Sequence, residues 1–265
     1  MKSTILINLT FTALLAGLAA GHGQSSNPPL TPYGEAVQNY ALAWSDEFDG
    51  AALDETKWTY RTDTKMWSTQ VPENVSVADG KLIIALKREA NGKHTGGGII
   101  SKRPFEYGYY EARFKVPPGS GWHTSFWAMA YDDKDTAPKK TQEIDFCEQD
   151  SVKTTKYSAG VIAWDQRGKN YGRKYVQTPD LTNDFHVWGC EFTPTKVRFY
   201  FDGELTHETD ATKFKQGPEN IWLTCIATPL GGTKYIDDKQ LPATAEFDYV
   251  RYFAPASASN PNATK

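Results

Sequence analysis

Three acidic residues lie close together in the segment 143–148, which reads Glu-Ile-Asp-Phe-Cys-Glu. On a β-strand, residues i and i+2 share a face, so Glu143 and Asp145 point together while Ile144 and Phe146 point into the core. Regular alternation would turn Glu148 away from them. A single β-bulge after Asp145 returns Glu148 to the acidic face, and we therefore predict three adjacent carboxylates on one strand.

Such a group can hydrolyse a glycosidic bond with retention of configuration. One carboxylate attacks the anomeric carbon, and a second, about 5–5.5 Å away, protonates the leaving oxygen and later activates water. A third carboxylate nearby raises the proton affinity of its neighbours. By position we assign Glu143 as nucleophile, Asp145 as the group that orients and tunes it, and Glu148 as general acid/base. The spacing alone is also compatible with a solvated acidic edge strand or a calcium site.

The elements that must position these residues are predicted to be short β-strands. Strand patterns bounded by Gly, Pro or Asp-Gly turns occur at 81–87, 107–116, 196–201, 204–207, 221–227 and 246–253. Helical periodicity is absent over any 12-residue window, apart from a short turn near 210–214. The pattern predicts an all-β fold, a jelly-roll sandwich of two antiparallel sheets.

Composition excludes several classes of protein. Of the 265 residues 39% are hydrophobic, which excludes a disordered, collagen-like or coiled-coil chain. The 29 basic and 32 acidic residues nearly balance, which argues against binding nucleic acid through a general basic field. Aromatic residues make up 13%, with eight Trp, as expected for β-structure or a surface on which sugars stack. Cys147, Cys190 and Cys225 lie in apolar runs and are predicted to be buried free thiols, with one disulfide as the alternative.

The ends of the chain differ in composition from its middle. Residues 1–23 have a basic start, an apolar run and small residues, the pattern of a signal peptide, so we expect a secreted or periplasmic protein without a membrane span. Residues 24–40 are rich in Pro and Ser, which predicts a flexible lead-in before the folded domain. The composition of residues 255–265 predicts a flexible tail. The catalytic domain is predicted at 41–254. It shows no internal repeat, and we expect a monomer.

The segment 143–148 resembles the bulged Glu-x-Asp-x-x-Glu signature of glycoside hydrolase family 16. Further segments resemble that family in the same order, at 44–50, 74–82, 107–115, 185–186, 198–203 and 247–252. The resemblance implies a concave β-jelly roll with an open cleft. It also implies endo-attack on a β-linked polysaccharide with retention, and supports the three roles assigned above.

Tryptophans are candidates for the walls of that cleft, because sugar rings stack on aromatic faces. Trp122 and Trp127 are separated by an odd number of residues and would face opposite ways on a regular strand. The resemblance implies that Trp127 lies in the cleft and that Trp122 serves a sugar subsite, with the core as the alternative for Trp122. Trp164 and Trp67 are further candidates. Trp188 and Trp222, in apolar strands, are predicted to belong to the core.

Polar residues near these tryptophans bear on the choice of substrate. His123 is either a substrate contact or a polar edge residue. The segment 167–174 carries four cations, among them Arg167 and Arg173, which could contact sulfate groups, with a solvated basic loop as the alternative. Thr141-Gln-Glu143 is similar to agarase and porphyranase members of the family, whereas the Trp-Pro-Ala of many laminarin-degrading members is missing. We therefore favour a red-algal galactan of agar, porphyran or carrageenan type.

Three other functions are compatible with the sequence. One is an endo-β-1,3- or mixed-linkage glucanase; another is a transglycosylase; a third is a non-catalytic lectin, which the intact carboxylates disfavour. No cofactor is required. The family resemblance implies a possible structural calcium ion at Glu47 and Asp248, although two oxygen ligands fall short of the six to eight that calcium takes.

Overall fold

The computed structural model describes residues 32–34, 37, 39–132 and 139–256. The predicted signal peptide, most of the predicted lead-in and nearly all of the predicted tail lie outside these residues. The described residues form seventeen β-strands, with these bounds: β1 Tyr40–Asp46, β2 Trp58–Tyr60, β3 Thr64–Lys65, β4 Ser68–Gln70, β5 Val75–Ala78, β6 Lys81–Arg88, β7 His94–Ser101, β8 Gly108–Lys115, β9 Trp122–Asp132, β10 Lys139–Asp150, β11 Lys156–Ala163, β12 Lys169–Gln177, β13 His186–Phe192, β14 Lys196–Phe201, β15 Glu204–Asp210, β16 Glu219–Ala227 and β17 Ala243–Pro255.

Fifteen of the strands form two antiparallel layers, and the short strands β3 and β4 pair with each other, with β4 running parallel to β7. The first, here called the cleft sheet, has the order β2-β7-β16-β9-β10-β11-β12. The second sheet has the order β5-β6-β17-β8-β13-β14-β15, with β1 also paired to β17. Pairing of β6 with β7 joins the two layers at one edge, so the ladder is continuous. The predicted all-β jelly-roll sandwich is confirmed.

Alternating apolar side chains from both layers fill the space between them. Phe146 of the cleft sheet packs 5.0 Å from Tyr110 of the second sheet and 4.5 Å from Phe126, measured between ring centroids. In the second sheet the Phe114 ring stacks on Trp188 at 3.9 Å. Large aromatic residues supply much of the apolar area that stabilises such a core. The three cysteines are buried and free, as predicted.

Local sequence signals account for the hairpins. Asp79 and Gly80, between β5 and β6, both have positive φ, of 52° and 67°. Asp202 and Gly203 repeat this between β14 and β15, with φ of 47° and 83°. Two central residues with positive φ match the right-handed twist of the flanking strands, which is why Asp-Gly favours a two-residue hairpin.

The ends of the β-structure meet. Tyr40 pairs with Pro255, one residue outside each predicted domain boundary. The predicted turn near 210–214 is a 3₁₀ helix, Ala211–Lys213, whose first turn is capped by the Asp210 side chain. Among the described residues no helix has the length and apolar character needed to cross a membrane.

Candidate active site

The β-bulge in β10 sets the geometry of the three carboxylates. Asp145 pairs with Trp127 of β9, but the next pair is Cys147 with Phe126, so one residue of β10 is skipped. On the other side of β10 the register slips in the same place. The skipped residue turns Glu148 back toward Asp145, as predicted. Glu143, Asp145 and Glu148 all line one cleft of about 350 Å³.

Strand β9 contributes the next row of that cleft. Its alternate residues His123, Ser125 and Trp127 line the cleft. Trp122 points the other way: it is 1% exposed within the core, and its indole Nε1 donates to the Pro117 carbonyl oxygen at 3.3 Å. The predicted opposition of Trp122 and Trp127 is therefore confirmed. The predicted sugar subsite at Trp122 is wrong, because that ring presents no face to the cleft.

Asp145 is the most buried of the three carboxyls, at 1% exposed. Burial raises its pKa well above the ordinary value, and the charges of Glu148 and Glu143 raise it further, against a smaller opposing effect of Arg173. Burial also raises the pKa of Glu143, and a 2.9 Å hydrogen bond from Trp164 Nε1 to Glu143 Oε2 opposes that rise. Burial and the two neighbouring carboxylates together favour the protonated form of Asp145, which lies between Glu143 and Glu148 in the strand.

Glu148 lies between two cationic groups. Arg173 Nη2 donates to Glu148 Oε2, and His123 Nε2 lies 3.4 Å from Glu148 Oε1. Burial alone would raise the pKa of Glu148, but the hydrogen bonds and charges of His123 and Arg173 hold it below its ordinary value. Of the three carboxyl groups, Glu148 is therefore the one that ionises most readily.

Arg173 reaches these carboxylates across β11. Its Nη1 lies 3.6 Å from Asp145 Oδ2, and its Nη2 also donates to Ser158 Oγ at 3.0 Å. Gly160 of β11 pairs with Asp145 and lies against Arg173. A Cβ at residue 160 would come within 2.7 Å of the Arg173 Cα, so the close approach of Arg173 requires glycine there. The sequence predicted Arg173 as a sulfate contact, but the structure gives it two carboxylates as partners. Arg167 is exposed, at the end of the 3₁₀ helix Trp164–Gln166, and does not line the cleft.

Aromatic rings form the floor and one wall of the cleft. Trp127 stacks on Trp222 with ring centroids 4.6 Å apart. Trp164 is 39% exposed, with Lys140 Nζ 5.2 Å from its ring. The assignment of Trp222 to the core is wrong, because Trp222 is only half-buried and shares the cleft face of β16 with Thr224. Period-two alternation between buried Ile221 and Leu223 was a signal that could have placed it there.

Trp67 lies beside this cleft rather than in it. It lines a neighbouring depression with His94, Lys234 and Tyr235, whereas the residue before it, Met66, lines the cleft itself. Trp67 is partly buried against the core, and its predicted contact with sugar stays a prediction.

Cations missed by the sequence reasoning also line the cleft. They are Arg61, Lys65 and Lys140. The Arg61 guanidinium makes a bidentate pair with Asp63, at 2.6 and 3.0 Å, and lies 5.6 Å from the Trp222 ring centroid. Lys65 is exposed on the two-residue strand β3. Arg61 and Lys65 lie in short polar segments, which carry no periodicity that would predict where their side chains point. Lys140 is on β10, but the register of β10 against β9 shifts between Lys140 and Gln142, so regular alternation does not predict its side.

The predicted calcium ligands do not fit a calcium site. Both oxygens of Glu47 accept from Arg251, at 3.0 and 2.7 Å. Asp248 Oδ2 accepts from Arg113 Nη1 at 2.7 Å. Carboxylates already neutralised by guanidinium groups do not supply the anionic oxygen set that calcium requires. Within the described residues, no three His, Cys, Asp or Glu side chains are grouped so as to hold a metal ion.

Comparison with known proteins assigns the family. The family model described as "Beta-porphyranase A-D, GH16 domain" matches residues 40–255, so the chain belongs to glycoside hydrolase family 16. It is similar to the kappa-carrageenase of Pseudoalteromonas carrageenovora, with 29% identity over 97% of this chain and 75% of the relative. It is also similar to beta-porphyranase E of Zobellia galactanivorans, with 29% identity over 80% of this chain and 86% of that protein. The beta-glucanase of Rhodothermus marinus is 27% identical over 83% of this chain and 87% of that protein.

Solved structures support the fold. The endo-beta-1,3-glucanase from Pyrococcus furiosus superimposes with a TM-score of 0.74 at 22% identity, covering 84% of this chain and 98% of that one. The laminarinase from Flavobacterium sp. UMI-01 superimposes with a TM-score of 0.73 at 23% identity, covering 80% of this chain and 100% of that one. The family model and the named relatives confirm the predicted family and the prediction of a glycoside hydrolase.

Proposed function

We propose that this glycoside hydrolase cuts a β-linked polysaccharide internally and with retention of configuration. The observation that carries the proposal is the β10 bulge, which brings Glu143, Asp145 and Glu148 into one open cleft. A double-displacement mechanism needs two carboxyl groups, and here the buried Asp145 lies between them in the strand. The aromatic rings on the floor and wall of the cleft suit the stacking of sugar rings along a chain.

In the proposed first step, Glu143 attacks the anomeric carbon and the bond to the leaving oxygen breaks. Glu148 gives its proton to that oxygen. In the second step Glu148 takes a proton from water, the hydroxyl adds to the anomeric carbon, and the bond to Glu143 breaks. Asp145, which keeps its proton through burial, donates to Glu143 and stabilises its ionised form.

Glu148 must be protonated in the first step, whereas Arg173 and His123 favour its ionised form in the free chain. We infer that the glycosidic oxygen enters between the Arg173 guanidinium and Glu148 Oε2. Separation of that pair removes one of the two cations and raises the pKa of Glu148, so that the acid is formed when substrate is present. In the free chain, the same contact holds Glu148 in position.

The role assignment can be tested by azide rescue. Glu143→Ala leaves a gap where the nucleophile was, and azide entering there gives a glycosyl azide of inverted configuration. In Glu148→Ala azide replaces water in the second step, and the product keeps the original configuration. A retained azide product from Glu143→Ala together with an inverted one from Glu148→Ala would show that the two roles are exchanged.

For the substrate we propose a sulfated red-algal galactan. The matching family model is named for beta-porphyranase, and two of the relatives are named as a carrageenase and a porphyranase. Lys65 and Lys140, exposed on the rim of the cleft, suit sulfate esters on the sugar chain. The signal-peptide pattern at 1–23 supports export, which would bring the enzyme to a polysaccharide outside the cell.

A β-1,3- or mixed-linkage glucan is the second candidate, because relatives named as beta-glucanases match at 27–28% identity. A reducing-end assay against porphyran, agarose, carrageenans, laminarin and mixed-linkage glucan separates the two. Porphyran should be cleaved, and chemically desulfated porphyran should be cleaved with a higher KM. Cleavage of the two glucans alone would overturn the galactan proposal. Lys65→Met should raise KM on the sulfated galactan but leave KM on the desulfated one unchanged.

A further inference from the structure

A buried histidine lies between two carboxylates, one of which takes no part in the proposed mechanism. His123 is 5% exposed, on the cleft face of β9. Its Nδ1 lies 2.9 Å from Asp150 Oδ1, and its Nε2 lies 3.4 Å from Glu148 Oε1. Both carboxylates belong to β10, and i, i+2 spacing places them on the same side of that strand. The imidazole therefore bridges Glu148 to a second acid that does not line the catalytic cleft.

We propose that His123, fixed by Asp150, is a positioning residue that orients Glu148 and governs its proton affinity. The inference rests on the proposed role of Glu148 as general acid/base. A cationic imidazole donates from both nitrogens, so it can hold the Asp150 and Glu148 carboxylates at once. With Asp150 on one nitrogen, the other is directed at Glu148 in one fixed orientation.

The charged groups around His123 favour the cationic ring. Glu148 and Asp150 contact it from β10, and Lys153 Nζ, in the turn that follows, lies 3.8 Å from the other oxygen of Asp150. Arg173 of β12 approaches only through Glu148. On the opposite side β16 pairs Ile226 with His123 and brings no charge. Burial by itself would lower the pKa of His123, yet the two carboxylates raise it to about 9.

Asp150 is held by its surroundings as well. The loop after β16 covers it, and a Cβ on Gly231 would come within 2.6 Å of the Asp150 Cβ. This close approach of the Gly231 backbone restricts movement of the Asp150 side chain. The orientation of the imidazole is therefore built into the packing.

Such a histidine changes both halves of the reaction. A fixed cation beside Glu148 stabilises the carboxylate, which is the form that takes a proton from water in the second step. It also limits how far the pKa of Glu148 rises when Arg173 is separated from it. Removal of the cation should raise the pKa of Glu148. The alkaline limb of kcat/KM, which reports the acid of the free enzyme, should then move to higher pH.

The first experiment measures this coupling without any substrate. The imidazole of His123 is titrated by NMR in the wild type, Glu148→Gln and Asp150→Asn, and its signal is assigned by its loss in His123→Gln. We expect titration near pH 9 in the wild type and at clearly lower pH in both variants. A His123 that titrates near its ordinary pKa of about 6.5, or that Glu148→Gln leaves unchanged, would overturn the proposal.

The second experiment compares pH profiles on the polysaccharide that the wild type cleaves. His123→Gln should lower kcat more than it changes KM, and should move the alkaline limb of kcat/KM upward. The matched control is His186→Gln in the second sheet, where His186 Nδ1 likewise lies 2.7 Å from a carboxylate oxygen of Asp202. That control should leave both limbs in place.

Loss of kcat in His123→Gln with unmoved limbs would show a merely structural role and overturn the proposal. Should His123→Gln fail to fold, by circular dichroism and thermal melting, Asp150→Asn keeps the ring and should give the same direction of shift. If the wild type cleaves no polysaccharide, the proposed function fails, while the NMR titration still decides whether His123 and Glu148 are coupled.

Discussion

The indole Nε1 of Trp164 donates a 2.9 Å hydrogen bond to Glu143 Oε2, although the two residues lie on different elements. Glu143 is on β10, and Trp164 begins the short 3₁₀ helix that follows β11. The same side chain thus borders the cleft with its ring and contacts the proposed nucleophile with its N–H. These two contributions can be separated by substitution.

Trp164→Phe keeps a ring at the cleft but removes the donor. The N–H opposes the burial-driven rise in the pKa of Glu143, so its loss raises that pKa further, and the acidic limb of kcat/KM moves to higher pH. We expect kcat to fall roughly tenfold, as for loss of one hydrogen bond to a charged group. Trp164→Ala should in addition raise KM. Equal KM values in the Phe and Ala variants would show that the ring does not bind sugar.

Replacement of the proposed nucleophile tests the carboxylate triad directly. Glu143→Ala should lower kcat by at least about a thousandfold while leaving oligosaccharide binding, measured by calorimetry, within a few-fold of the wild type. The reason is that the attack on the anomeric carbon has no substitute group. Substantial turnover by this variant, with wild-type contamination excluded, would contradict the assignment.

The buried carboxyl Asp145 is predicted to act in its protonated form. Asp145→Asn keeps a donor toward Glu143, whereas Asp145→Ala removes it and leaves a gap. Both should lower kcat more than they raise KM, and the Asn variant should retain about tenfold more activity than the Ala variant. Steady-state kinetics at pH 6 and pH 8 check this. Equal losses would mean that Asp145 acts through its negative charge.

The pH dependence of stability should reflect a second buried carboxyl, Glu219 of β16. It is fully buried, and burial raises its pKa to about 8, against a 2.7 Å hydrogen bond from Gln142 Nε2 to Glu219 Oε2. The unfolded chain loses this proton near pH 4.3, so between about 4.3 and 8 the folded state alone holds it. Stability therefore falls as pH rises through that window.

Glu219→Gln removes that dependence. The melting temperature of the variant relative to wild type should rise from pH 5 to pH 8. Glu208→Gln, on the exposed face of β15, is the control and should show no such trend over this range. A constant difference for Glu219→Gln would show that Glu219 is ionised in the folded protein at pH 5.

Much of the site followed from strand periodicity. Alternation with one bulge placed Glu143, Asp145 and Glu148 correctly, and odd spacing separated Trp122 from Trp127. The same rule would have moved Trp222 to the cleft, because its neighbours Ile221 and Leu223 are both buried. Within a strand, the sequence is informative about which side chains share a face.

Relations between strands were harder to predict. The position of Arg173 depends on the register of β12 against β11, and on the gap left by Gly160, neither of which has a local sequence signal. The link between His123 and Asp150 likewise requires the pairing of β9 with β10. The arginine partners of Glu47 and Asp248 could not be predicted for the same reason, since Arg251 and Arg113 reach them only in the folded sheet.

The most direct test of retaining hydrolysis is the anomeric configuration of the first product. Proton NMR of a porphyran digest, recorded within minutes of adding the enzyme at high concentration, should show the β-anomer of the new reducing end first. The α-anomer should then grow in by mutarotation. Early appearance of the α-anomer would show inversion and contradict the assigned roles of Glu143 and Glu148 together.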